Sequence, residues 1–416
     1  MHIQCTNGSP IVNTLDHLPL LPLSVQYHDS HHSAVTLAPL ILEQDELGIY
    51  LTLQSYCRIR DIGLFLPPSI LHKALTLMNG NFPILEHLSL SGGSFSDRLR
   101  LTLPKGFLAP NLRHLTLSDI GPTKRLRVLT STVSLVTLTL RDIQTSSYFR
   151  PRLLVARLRS LPLLEELTIE FSIPIPRPST ERELLGEEGA PITLPSLKTF
   201  QFVGVGAYLE SLVTQIRVPL LEKLHITLFN QIAFVLPHLS HLINNTIVFK
   251  VPYMKVSFHH DVHISTARPK VHTLHSLGRT AFSLSVKCKP LDWQIDCAAQ
   301  ICDALIPTLS GVRELSLLSN LEIATEIQNS AIDSATWHDL LRSFVGVKEL
   351  YIGDGFPENL SPELSRALQV GEVGSDPSFL PNLRSIHATH NLFTSFIDTR
   401  QIVGRPVRIK NLRFRL

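Results

Sequence analysis

The chain has 416 residues, 44% of them hydrophobic and 18% charged, with a formal net charge of +3. This supports a sizeable core and contains no block of like charge, which argues against a nucleic-acid footprint. No apolar run reaches the roughly 18 residues of a membrane span, and no basic stretch followed by an apolar one opens the chain.

Cys5, Cys57, Cys288, Cys297 and Cys302 form no Cys-x-x-Cys motif. Scattered thiols fit a reducing compartment, cytoplasmic or nuclear, better than a disulfide framework.

Residues 1–18 are polar and mixed and are expected to lack stable order. A short strand is expected at 23–27 and a helix over 40–54. Residues 58–64 alternate like a strand, and Pro67-Pro68 then opens a helix over 69–78, with proline where a first turn tolerates it. From there one phrase returns repeatedly. Its clearest copy is Leu161-Pro162-Leu163-Leu164-Glu165-Glu166-Leu167-Thr168-Ile169, a bend followed by Leu-x-x-Leu-x-Ile. The last residues alternate apolar and polar, the period of a strand with one buried face. Leu154, Val155 and Leu158 recur at helical spacing just before it, so a short helix is expected to lead through Leu-Pro into a short strand.

Other copies begin at Phe82-Pro83, Ala109-Pro110, Leu194-Pro195, Val218-Pro219 and Leu380-Pro381, and copies without proline at Ser134, Gly311 and Gly346. The anchors Leu85, Leu112, Leu135, Leu164, Leu197 and Leu221 stand 23 to 33 residues apart, the range of leucine-rich repeats. One helix and one strand cannot bury both their apolar faces, whereas stacked units can. The fold class expected is α/β: a leucine-rich-repeat solenoid with a curved parallel sheet on the concave face and short helices on the convex face. The repeat domain is expected over 19–404. Within it, 173–192 forms a Pro- and Glu-rich loop insertion and 255–264 a β-hairpin around His259-His260-Asp261. A strand is expected at 247–249 and another at 282–286. Further helices are expected at 237–243, 295–305, 335–344 and 362–370. Residues 405–416 form a last strand or a cap.

These repeats, with Leu284-Ser285-Val286-Lys287-Cys288, Leu291-Asp292-Trp293-Gln294, Trp337 and Val347-Lys348-Glu349-Leu350-Tyr351-Ile352, resemble the fungal F-box-like proteins with leucine-rich repeats. The resemblance spans roughly Leu18 to Val407. Members usually open with an F-box, a helical module beginning Leu-Pro-x-Glu and ending near a Trp-Arg or Trp-Lys pair. Leu18-Pro19-Leu20-Leu21 lacks the glutamate, and both tryptophans, Trp293 and Trp337, lie late. The resemblance thus implies a repeat domain without a recognisable F-box. It implies a protein-interaction scaffold whose partner binds the solenoid, the chain itself being monomeric. The alternative is a substrate receptor of a cullin–RING ubiquitin ligase, which needs an F-box upstream to dock the Skp-type adaptor.

The partner-binding residues expected on the concave face are those between the buried leucines: His87, Ser89, His114, Thr116, Thr139, Glu166, Thr168, Lys223 and His225. His87 and His114 occupy equivalent places in successive repeats, about 5 Å apart across a sheet, but a third metal ligand is not evident. Two denser clusters, His28, His31 and His32, and His259, His260, Asp261 and His263, lack a matching partner, so no metal or cofactor is expected. Trp293 reads as a wedge between strand and helix. The sequence has no Gly-x-Ser-x-Gly, phosphate loop or His-Glu-x-x-His. A noncatalytic protein is expected, and a histidine-dependent metal enzyme is the remaining rival.

Overall fold

The computed structural model describes residues 2–4, 21–27, 43–92, 101–120, 127–174, 190–229, 233–259, 261–266, 280–288, 291–319, 334–353, 361–373, 379–388, 393–402 and 404–411. The fold is mixed α/β, with short strands, mostly parallel, and short helices. The chain forms two compact units, Met1–Leu221 and Glu222–Leu416.

The main ladder of the first unit runs through β1 (His2–Gln4), β2 (Leu23–Tyr27), β3 (Ile59–Leu66), β4 (His87–Gly92), β5 (His114–Ser118), β6 (Thr137–Ile143), β7 (Glu166–Phe171) and β9 (Thr199–Gly204), every neighbour parallel. β1 lies in the stretch expected to lack order, and its pairing with Ser24–Gln26 corrects that expectation for these three residues. The leucines of the repeat phrase form the core: Leu88, Leu90, Leu115, Leu117, Leu138, Leu140, Leu167 and Ile169 are all buried. Each is worth roughly 1.5–3 kcal/mol of transfer free energy, which the ordering of the backbone largely offsets.

The bend before each strand is what stacks one copy on the next. The amide of Glu86 donates to the carbonyl of Arg60, Arg113 to Glu86, Val136 to Arg113, Glu165 to Val136 and Lys198 to Glu165, at 2.7 to 2.8 Å. The residue after the phrase's proline adds a side-chain bond. Asn111 donates to the carbonyl of Pro83 at 2.6 Å and Ser196 to that of Pro162 at 2.9 Å. Polar residues recur there because they satisfy a carbonyl of the preceding copy.

Helices Glu43–Gln54, Pro68–Leu77, Pro151–Leu158 and Gly206–Thr214 bury their apolar stripes in this unit. The last was not foreseen in the sequence. Nor does an α-helix lead into every strand. Ahead of β5, residues 101–113 are non-helical and bury Leu101, Leu103 and Phe107; ahead of β6 there is a 3-10 turn at Arg127–Thr130. Of the insertion at 173–192, the stretch 175–189 lies outside the described residues. Its end, β8 (Ile192–Thr193), pairs in parallel with β10 (Ile216–Arg217).

The second unit contains β11 (Lys223–Phe229), β12 (Tyr253–Phe258), β13 (Val262–Ser265), β14 (Phe282–Lys287), β15 (Glu314–Ser319), β16 (Glu349–Ile352), β17 (Ser385–Ala388) and β18 (Arg408–Asn411). Their spatial order is β11-β14-β13-β12-β15-β16-β17-β18. The hairpin is present, with Lys255 opposite Ser265 and Phe258 opposite Val262. It is part of the sheet rather than an excursion from it: β13 pairs antiparallel with both β12 and β14, and β12 pairs in parallel with β15. The expected strand at 247–249 is a 3-10 turn, and β12 takes the place beside β15.

The expected helices are present as Pro237–Asn245, Leu291–Ala304, Ser334–Arg342 and Ser361–Val373. Helices Ile306–Leu309 and Thr394–Ile402 were not foreseen. Val345 stands where other copies carry proline; Gly346 follows it, and a Cβ there would lie 2.5 Å from the carbonyl oxygen of Ser310. Trp337 is fully buried with its ring edge-on to Phe258, centroids 5.7 Å apart. Trp293 is 52% exposed, which overturns its reading as a wedge. The closing stretch contributes β18, and 412–416 lie outside the described residues.

Candidate functional site

In a strand, alternate side chains face opposite ways, so burying the leucines of β4 to β7 puts the intervening residues on the other face. In-register pairing aligns those residues into rows. The first row runs from Asp61 through His87, His114, Thr137 and Glu166 to Thr199. The second runs from Gly63 through Ser89, Thr116, Thr139 and Thr168 to Gln201. Seven of the nine residues expected to bind a partner are thereby brought together. Lys223 and His225 lie on β11, in the second unit.

The first row is internally bonded. His87 Nδ1 lies 2.7 Å from Asp61 Oδ1, the His87 and His114 rings stack with centroids 4.5 Å apart, and His114 Nδ1 lies 3.1 Å from Thr137 Oγ1. This chain of contacts orients both imidazoles and engages Nδ1 of each. Among the described residues no group of three or more His, Cys, Asp or Glu side chains is placed to hold a metal ion. Of the two denser histidine clusters, 28–32 and His260 lie outside the described residues.

Beyond the second row the chain is anionic and tied. Ser118 donates to Asp142 at 2.9 Å, Gln144 to Asp119 at 3.2 Å and Gln201 to Glu170 at 2.8 Å, while Arg141 Nε lies 3.3 Å from Glu170. Burial raises the carboxyl pKa values of Glu170 and Asp119 above their ordinary range. Asp119 and Asp142 hold φ of 57° and 53°, left-handed positions that aspartate tolerates better than most residues.

Between these two bonded borders the second row is a strip of hydroxyls. Ser89 is exposed and Thr116 half-buried, but Thr139 and Thr168 are only 9% exposed. The expectation that Thr139 and Thr168 face solvent freely is corrected here. Parallel strands stand about 4.8 Å apart, so longer neighbours such as Gln201 and the charged border shield a short side chain. The strip is a floor between two polar rims, uncharged along its length, with hydroxyls that can both donate and accept.

The histidine pair makes this face sensitive to acid. Burial, then the charge of His87, holds the His114 pKa below its ordinary value of 6.5. A folded value below the unfolded one means that the folded state binds fewer protons, so this group's contribution to stability is complete above about pH 6.5 and is lost as pH falls through the folded value. Wild type should therefore lose more stability than His114→Gln between about pH 7.5 and about pH 5.5 in urea titrations. Equal losses would show that the stacked ring carries no such linkage.

The sequence matches no family model, and a search of curated proteins returns no match.

Proposed function

We propose that the chain is a noncatalytic leucine-rich-repeat scaffold of the F-box-like type, a solenoid that binds a protein partner on the exposed face of its strands. The observation that carries this reading is the in-register hydroxyl strip, Ser89, Thr116, Thr139 and Thr168, bordered by side chains that are already bonded to one another. Solenoids use such repeated faces for binding. A strip without charge suits an extended, polar segment of a partner, whose amides and carbonyls find both donors and acceptors. The bonded borders hold the strip's edges in place and so lower the entropy lost on binding.

The test compares wild type with Ser89→Arg/Thr116→Arg, which covers the open end of the strip and leaves the leucine face untouched. Partners are identified by affinity purification and mass spectrometry and then measured with purified components. At least one purified partner should bind wild type and lose about tenfold or more in affinity to the double variant, with the melting temperature little changed. Partners that bind both proteins equally well would overturn the reading.

A further inference from the structure

We propose that the polar face of the second unit's strands carries a binding site for a phosphate monoester, held by the Lys255 ammonium and by the Nε2 edges of His225 and His263 over a floor of serine hydroxyls. The site is independent of the partner-binding reading of the first unit.

The placement follows from register. Lys255, near the middle of β12, is paired with Ser265 of β13 on one side and Ser316 of β15 on the other. Ser265 is paired in turn with Ser283 of β14, and Ser283 with His225 of β11. One row therefore reads His225, Ser283, Ser265, Lys255, Ser316. In the adjoining row His263 of β13 stands between Ser285 of β14 and Ser257 of β12.

β14 lies between β11 and β13, and a histidine bonds each of its two serines from either side. His225 Nδ1 lies 2.8 Å from Ser283 Oγ, and His263 Nδ1 lies 2.7 Å from Ser285 Oγ. The two rings thus lean towards the same strand from opposite directions. With each serine hydroxyl donating to Nδ1, the Nε2–H of each ring is left as a donor for a ligand. The five serines are 2 to 8% exposed and short, so they floor the site without filling it.

The electrostatics call for an anion. Burial lowers the pKa values of Lys255, His225 and His263 alike. Asp261 acts on His263, but no hydrogen bond or ion pair engages the Lys255 side chain among the described residues. In the first unit the comparable basic group, His87, already has Asp61 at 2.7 Å. A partly desolvated ammonium without a counter-ion is costly, and a bound anion offsets that cost. A carboxylate presents two oxygens in one plane. A tetrahedral phosphate presents oxygens in several directions, which suits donors arriving from β11, β12 and β13.

Free phosphate and a phosphorylated serine side chain share this chemistry, and the experiment separates them. The full chain is titrated with inorganic phosphate at constant ionic strength, and with a phosphoserine peptide beside its unphosphorylated form. Phosphate should bind saturably. Lys255→Gln should weaken it about tenfold or more, whereas Lys250→Gln, at an exposed position outside the strands, should leave it unchanged. Without any variant, phosphate should also slow amine modification of Lys255 as followed by mass spectrometry. Tighter binding of the phosphopeptide than of phosphate assigns the site to a phosphorylated protein, and comparable binding assigns it to free phosphate. Absence of both saturable binding and protection, or equal losses in the two lysine variants, would overturn the proposal.

Discussion

Replacing Leu167 by aspartate should abolish the cooperative unfolding of the first unit. Leu167 is fully buried on β7, flanked in register by Leu138 and Phe200. The substitution removes the transfer free energy of a leucine, leaves space beside its neighbours and places a carboxyl between apolar side chains. Together these should cost at least about 4 kcal/mol, a large share of the roughly 5–15 kcal/mol that holds a domain together. Hydrogen exchange is the direct readout, because the amides of β6, β7 and β9 should lose protection. Glu166→Gln, one residue away on the other face and exposed, should shift stability by no more than about 0.5 kcal/mol. Unchanged protection in Leu167→Asp would mean that the repeat register is wrong.

Arg400→Met should destabilise the second unit by about 3–5 kcal/mol. Arg400 is fully buried in the helix Thr394–Ile402, where it donates to the carbonyls of Leu380 at 2.8 Å, Phe379 at 3.1 Å and Leu383 at 3.4 Å. Its guanidinium carbon also lies 5.4 Å from the centroid of the Phe396 ring. These carbonyls belong to the bend of the last repeat phrase, where Leu380 holds a φ of 40° just before Pro381. A left-handed non-glycine residue ahead of proline is unfavourable by itself, and Arg400 ties that bend to the following helix. Methionine would fill much of the volume but leave three buried carbonyls without this donor. Arg400→Lys should recover only part of the loss, since an ammonium lacks the planar fork that reaches several acceptors at once. Equal denaturation midpoints for wild type and Arg400→Met would show that the bend stands without it.

Most strands and most helices were legible in the amino-acid order, but β1, β8 and β10 were not, and the strand expected at 247–249 is a 3-10 turn. A leucine every second residue after a proline bend can bury one face only, and that local rule places Leu88, Leu115, Leu138 and Leu167 without reference to the rest of the chain. The same rule assigns His87, Ser89, His114, Thr116 and Glu166 to the opposite face, which is why much of the candidate site could be named in advance. What each of those residues does there was not legible. The shielding of Thr139 and Thr168 depends on the size of side chains from strands tens of residues away, and the pairing of His87 with Asp61 depends on two repeats meeting.

Strand order in the second unit was decided by tertiary structure alone. Periodicity points to strands at 255–258, 262–264 and 282–286, but pairing energy comes from neighbours in space, and nothing local says that β14 lies between β11 and β13. That arrangement is what brings His225, His263 and Lys255, remote from one another in sequence, around the serines of β14. Arg400 makes the same point from the core. In the sequence it is one more basic residue near a basic end, and its burial follows only from three carbonyls that a bend some twenty residues earlier turns towards it.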